Sequence, residues 1–174
     1  TITQPSAPLA SSVSANQPVL CYGGTNGSLE INASGGTFPY TYSWSNGETS
    51  PVIFNLSSGS YTVTITDANG CTTVQSATIT QPSAALAPTA TVLQQVLCFG
   101  GNNASVDLSV TGGTTPYSYN WSNGQTTEDI SGLSAGTYTV NITDVNGCNT
   151  TASVIINEPS AAVSISINST TAVS

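Results

Sequence analysis

The sequence contains no lysine, no arginine and no histidine against eight acidic residues in 174, so its formal charge is -8 at neutral pH. No side-chain salt bridge can form within it, and without histidine no side chain of ordinary pKa titrates near neutrality. Stability has to come from apolar burial, backbone ladders and disulfides. Nucleic acid is not expected as a partner, because neutralising phosphates takes Lys or Arg, and anionic lipid repels such a chain for the same reason. Trypsin has no site at which to cut. Methionine is missing as well. No apolar run approaches the ~20 residues that a membrane helix needs, and the first residues are not a basic region followed by an apolar stretch. Membrane insertion is therefore not expected, and the chain reads as a soluble, mature segment with any signal or anchor lying outside it. Helical periodicity is absent too. β-Branched residues and Thr, Gly, Asn and Ser turns are plentiful, which predicts an all-β chain with almost no helix.

What is present is a repeat. Cys21 returns as Cys98, Trp44 as Trp121 and Cys71 as Cys148, each 77 positions later (98 − 21, 121 − 44 and 148 − 71). The frame extends to the start, where residues 1–7 are identical to residues 78–84. The sequence accordingly predicts the end of a preceding repeat over 1–7, one repeat over 8–83, a second over 84–160 and the start of a following one over 161–174, as in a piece of a longer array. Gln81-Pro82-Ser83-Ala84 and Glu158-Pro159-Ser160-Ala161 form short proline-bearing junctions, stiffer than a Gly/Ser tether. They lead us to expect a semi-rigid rod.

The strand signal is strongest at Tyr61, Val63 and Ile65, which alternate with Thr62, Thr64 and Thr66, and at Tyr138, Val140 and Ile142. Asp67-Ala68-Asn69-Gly70 then supplies residues that tolerate positive φ, as a short hairpin loop closing on a glycine bulge requires. Earlier in the unit, Leu9 to Leu20 reads as a loosely apolar edge strand containing Pro18. Leu29, Ile31 and Ala33 alternate with polar residues, Tyr40, Tyr42 and Trp44 follow at period two, and Val52 to Leu56 is a short strand. Leu56, Gly59 and Tyr61 have the spacing of a tyrosine corner, and Thr72 to Thr80 closes the sheet. Six or seven short strands per unit predict tandem small antiparallel β-sandwiches of immunoglobulin-like or fibronectin III-like topology. Trp44 and Tyr61, with Trp121 and Tyr138, are the expected structural core.

Five ordered blocks, Cys21-Tyr22-Gly23-Gly24, Gly35-Gly36-Thr37-Phe38-Pro39-Tyr40, Tyr42-Ser43-Trp44-Ser45-Asn46-Gly47, Gly59-Ser60-Tyr61-Thr62-Val63 and Thr66-Asp67-Ala68-Asn69-Gly70-Cys71, resemble the SprB repeat, and the second copy matches as well. The resemblance covers nearly the whole chain. It implies a fragment of a very large bacterial cell-surface adhesin, of the kind propelled in gliding motility and exported by the type IX secretion route. An extracellular location, neighbouring repeats of the same chain as partners and perhaps-sugar-bearing surfaces such as polysaccharide as a target follow from that resemblance alone.

Three candidate sites stand beside simpler readings. Tyr40, Tyr42 and Trp44 could stack on sugar faces, but a tryptophan on the third strand of a sandwich is usually core. Repeat one also has Val52 and Phe54 where repeat two has Asp129 and Ser131, so Phe54 is expected to be exposed. Asp67 with Asn69, and Asp144 with Asn146, could offer oxygens to calcium. Calcium takes six to eight oxygens and each loop has few, so the turn reading is preferred and no metal or other cofactor is expected. Glu128-Asp129 is no stronger. Two carboxylates could in principle serve glycoside hydrolysis, but with no His, Lys, Arg or nucleophile elbow an enzyme is not expected. The function expected is a structural stalk or spacer of an adhesin. The alternatives are a glycan-binding or calcium-dependent binding module, and a subunit of a self-assembling extracellular filament.

The four cysteines of an exported protein are expected to be paired. Pairing within each repeat, Cys21 with Cys71 and Cys98 with Cys148, makes every copy self-sufficient and is the default. A fibronectin-like topology argues against it, because Cys71 would follow the fifth strand at one end of the sandwich and Cys21 precede the second strand at the other. The rival pairing joins Cys21 to Cys148.

Overall fold

A computed structural model of the chain describes Pro5 and residues 7–166. Twelve strands and no helix occur among the described residues. They fall into two compact units. The first takes the described residues of Thr1–Leu86 with Thr111–Thr115 and Asn146–Cys148, and the second those of Ala87–Val110, Pro116–Val145 and Asn149–Ser174. The following-repeat assignment over 161–174 lies partly outside the described residues, as does the preceding-repeat assignment over 1–7.

The first unit is built from β1 (Ala10–Gln17), β2 (Gly27–Ser34), β3 (Thr41–Trp44), β4 (Val52–Leu56), β5 (Gly59–Thr66) and β6 (Thr72–Ile79). One sheet runs β1-β2-β4 and the other β3-β5-β6, and every pairing is antiparallel. In sandwich lettering these are A-B-E and C-F-G, the immunoglobulin-like arrangement with fibronectin-like edges. Alternation decides what faces inward. Leu29 and Ile31 of β2, Ile53 and Leu56 of β4, Trp44 of β3, Val63 and Ile65 of β5 and Ile79 of β6 meet in one apolar cluster. Each such side chain removed from water contributes ~1.5–3 kcal/mol, and this offsets the ordering cost in a unit with no ion pairs.

The second unit repeats the plan with β7 (Ala87–Gln94), β8 (Ala104–Thr111), β9 (Tyr117–Trp121), β10 (Ile130–Leu133), β11 (Gly136–Asp144) and β12 (Asn149–Ile156). Its sheets run β10-β8-β7 and β12-β11-β9. Val106, Leu108, Trp121, Ile130, Leu133, Val140, Ile142 and Ile156 are buried. Both units are therefore all-β sandwich modules, as the alternation and turn signals predict.

Some details differ from the sequence reading. β1 ends at Gln17, so Pro18 stands just past the strand rather than within it. The next residue, Val19, is buried and donates its N–H to the Thr80 carbonyl at 2.8 Å. Tyr61 and Tyr138 are only half-buried. They border the core rather than fill it, because each hydroxyl must reach back to a backbone carbonyl four residues upstream: Tyr61 to Ser57 at 3.0 Å and Tyr138 to Ser134 at 3.1 Å. That is the tyrosine corner which the Leu56, Gly59 and Tyr61 spacing predicts.

Candidate functional site

The hairpin between β5 and β6 is organised by Asp67. Its backbone N–H donates to the Cys71 carbonyl at 2.9 Å, and the Gly70 N–H returns to the Asp67 carbonyl at 3.0 Å. The side chain is buried. Its Oδ1 accepts from the N–H groups of Asn69 and Cys71, both at 2.9 Å, and its Oδ2 from the N–H of Thr37, also at 2.9 Å. Burial alone pushes this carboxyl up, but the N–H groups of Cys71, Thr37 and Asn69 outweigh it and hold the carboxyl below its ordinary value. A carboxylate ringed by the positive ends of N–H dipoles has its lone pairs committed to the turn. Asn69 uses its side-chain amide in the same way, donating to Thr37 Oγ1 at 2.9 Å. Asp144, one period later, is buried too.

The loop that carries Cys21 is pinned from three directions. Gly24 N–H donates to the Cys21 carbonyl at 2.9 Å, Leu20 N–H to Asn26 Oδ1 at 3.1 Å, and Gly23 N–H to Gln81 Oε1 at 2.9 Å. Cys98 sits in a loop with the same three bonds: Gly101 to the Cys98 carbonyl at 2.9 Å, Leu97 to Asn103 Oδ1 at 3.2 Å and Gly100 to Glu158 Oε2 at 2.6 Å. The loop ties made by Asn26, Asn103, Gln81 and Glu158 escaped the sequence reading. Their recurrence at one period beside each Cys-x-Gly-Gly was the available signal.

Cys21 is bonded to Cys148, across 127 residues of sequence and with alpha carbons 5.7 Å apart. The hairpin tip Asn146–Cys148 clusters with the first unit and lies over the Cys21 loop. The Asn146 amide donates to the Leu20 carbonyl at 3.3 Å, and Cys148 Sγ lies 3.5 Å from the same oxygen. Pairing of Cys21 with Cys71 is thus corrected to Cys21 with Cys148, and Cys71 and Cys98 are exposed free thiols instead of bridge partners. The reason is the length of β6. Val19 bonds Thr80 at one end of that eight-residue strand, while Cys71 precedes its other end. Eight residues at ~3.3 Å each span ~26 Å, and a bridge tolerates ~7 Å between alpha carbons.

Among the aromatics, Trp44 and Trp121 are buried, with 4% and 2% of their surface exposed. Each indole N–H still finds an acceptor, Ser50 O at 2.8 Å and Thr127 O at 3.0 Å. Tyr40 and Tyr42 pack partly buried against the first unit's core, so the three aromatics do not form one open platform. Tyr40 donates to the Gly35 carbonyl at 2.5 Å and meets Phe38 edge-on with centroids 5.9 Å apart. Phe54 is exposed, as its replacement by a polar residue in the second copy suggests, and Phe38 is more so. Asp129 has a structural duty: its Oδ1 accepts the Leu108 N–H at 3.0 Å, where the first copy uses the Pro51 carbonyl for the Ile31 N–H. Beside it, desolvation and a hydrogen bond to Glu128 push the Tyr119 hydroxyl up to about 12. No cluster of three metal-ligating side chains occurs among the described residues.

Several solved structures resemble the chain. Three N-terminal domains of the highly immunogenic outer capsid protein of bacteriophage RB49 match at 19% identity with a TM-score of 0.47, over 86% of this chain and 57% of that one. The eight N-terminal immunoglobulin domains of Down syndrome cell adhesion molecule match at 14% identity and a TM-score of 0.47, over 85% of this chain and 24% of that one. The BSP domain of a biofilm-associated protein matches at 17% identity and a TM-score of 0.26, over 86% and 30%. The chain therefore spans less than two thirds of the length of each. No curated protein matches it. The SprB repeat family model matches twice, at residues 13–49 and 90–126, each match running from the first strand of a unit to just past the turn after its buried tryptophan; the chain carries two SprB repeats.

Proposed function

We propose that these repeats are stalk modules of a large secreted bacterial surface adhesin, serving to hold an adhesive region away from the cell. The observation that carries this reading is the use of the residues common to both copies. Trp44 and Trp121, Tyr61 and Tyr138 and Asp67 are spent on core packing, corners and turns. A repeat that only spaces needs nothing more. The SprB repeat match supports a surface adhesin, and the gliding role and type IX export follow from the family's character. Neighbouring repeats are then the principal partners, and no cofactor is required.

A glycan-binding reading is favoured by one specific observation, the exposure of Phe38 and Phe54 at 78% and 64% in the first unit, where the second has Thr115 and Ser131. A glycan array probed with the purified chain, with and without calcium, separates the two. The stalk reading expects no reproducible binding. Binding that is lost on Phe38→Ala or Phe54→Ala would overturn it in favour of a lectin-like module.

A further inference from the structure

The surface around Cys98 is a vacant copy of one that is filled around Cys21. Both loops carry the same three hydrogen bonds, so both present their cysteine in one prepared shape. Around Cys21 the shape is occupied. The Asn146–Cys148 tip covers it, and Leu20 and Cys21 are accordingly only part-exposed. Around Cys98 nothing covers it. Leu97 is 67% exposed, Phe99 is 54% exposed, and Cys98 is an exposed free thiol. Leu97, Cys98 and Phe99 line one side of a cavity of about 300 Å³, whose other side is Pro159, Ala161 and Val163.

The matching plug is also on the molecule. Ala68-Asn69-Gly70-Cys71 is the period-equivalent of Val145-Asn146-Gly147-Cys148, held in hairpin form by Asp67 and ending in the other exposed free thiol. In the free hairpin the Asn69 amide donates to Thr37 of its own unit, whereas in the docked one the Asn146 amide donates to Leu20. The loop and the hairpin thus have a worked example of their own fit in the same chain.

We propose that the Leu97–Phe99 surface is the seat for the Asn69-Gly70-Cys71 hairpin of a second copy of this chain, sealed by a Cys71–Cys98 disulfide between the two. The docked Asn69 amide turns from Thr37 to the Leu97 carbonyl. The bond forms by two thiol–disulfide exchanges with a low-molecular-weight disulfide RSSR. One cysteine thiolate attacks RSSR, giving a mixed disulfide and releasing RS⁻. The second cysteine thiolate then attacks the protein sulfur of that mixed disulfide and expels the other RS⁻. The cysteine pair is oxidised, RSSR is reduced to two thiols, and the two cysteine protons end on them. Because hairpin and seat are different surfaces, the contact is head-to-tail and propagates beyond a dimer. This assembly stands independently of whether the repeats act as spacers.

The test is to incubate the purified chain in a glutathione redox buffer and separate it without reductant. Wild type is expected to give a ladder of oligomers, with a cross-linked peptide joining Cys71 to Cys98 after digestion by an acid-specific protease. Cys71→Ser alone and Cys98→Ser alone should stay monomeric, while an equimolar mixture of the two should stop at the dimer. Both positions are exposed and unbonded, so serine should leave the fold intact. Adding Asn69→Ala to the Cys98→Ser partner should slow dimer formation on the order of threefold or more, the worth of one lost hydrogen bond. Dimers formed equally well by either single variant would overturn the proposal, as would wild type that ends as monomer with glutathione on both thiols. An unchanged rate with Asn69→Ala would show thiol chemistry without docking and overturn the seat.

Discussion

Gly35 and Gly70 both have positive φ, +69 and +83 degrees, yet their surroundings differ. A Cβ on Gly70 would meet nothing within 4 Å, whereas one on Gly35 would sit 2.0 Å from the Pro8 carbonyl oxygen and 2.8 Å from its carbon. Gly70→Ala should therefore cost only the left-handed backbone penalty, ~1–2 kcal/mol. Gly35→Ala carries the same penalty and must also push the Pro8 backbone away by more than an ångström. That displacement breaks the Gly36 N–H bond to the Ala7 carbonyl and loosens the Ala10 and Ser34 end of the β1–β2 ladder. At ~1 kcal/mol for each of two bonds, its total is ~3–4 kcal/mol. A unit of this size has a stability on the order of 5 kcal/mol, so the variant should stand close to its unfolding threshold. The chain has two tryptophans, Trp44 in the first unit and Trp121 in the second. In a Trp121→Phe background, fluorescence during urea unfolding reports the first unit alone. With a slope of ~1 kcal/mol per molar urea, the midpoint should fall by ~1–2 M for Gly70→Ala and by ~3–4 M for Gly35→Ala. Equal shifts for the two would refute the close approach of Pro8 as the cause.

Trp44→Ala and Trp121→Ala should each lower the melting temperature of their own unit sharply, since truncating a buried tryptophan costs ~3–5 kcal/mol; a near-native melting curve would contradict the burial. Asp67 titrates below its ordinary 3.8 in the folded chain, so its contribution is present above that pH and drains away as the pH falls through the folded value. Acid unfolding of the first unit should accordingly shift to higher pH in Asp67→Asn, which keeps one acceptor oxygen and loses the other; an unchanged acid midpoint would remove the carboxylate from the account. Tyr119, raised to about 12, should ionise after the ordinary tyrosines near ~10 in a spectrophotometric titration. A raised pKa favours the fold below ~10 and loses that benefit as the pH climbs through about 12. Glu128→Gln should bring the late step earlier, and a titration already complete near pH 10 would refute the Glu128 contact.

The sequence by itself determined the period, the strands and the corner. Alternation in Tyr61–Thr66 and Leu29–Ala33 needs only neighbours in the chain to be read, because a strand's two faces are set by its period of two. The Asn-Gly turn after Asp67 is local for the same reason, and the tyrosine corner spans only four residues. Pro18 and Tyr61 were placed less well, since strand ends and edge burial depend on partners far along the chain. The cysteines show where local information stops. The sequence supplies four thiols at equal spacing, and symmetry favours Cys21 with Cys71, but a disulfide requires alpha carbons within a few ångströms. Only the antiparallel order, which sets Cys71 and Cys21 at opposite ends of β6, decides that Cys21 meets Cys148 instead. The same holds for Asp67. Its place in an Asp-Ala-Asn-Gly turn was legible, but the third donor is Thr37, thirty residues away in sequence, and long-range contacts of that kind are made by the fold rather than written in the spacing.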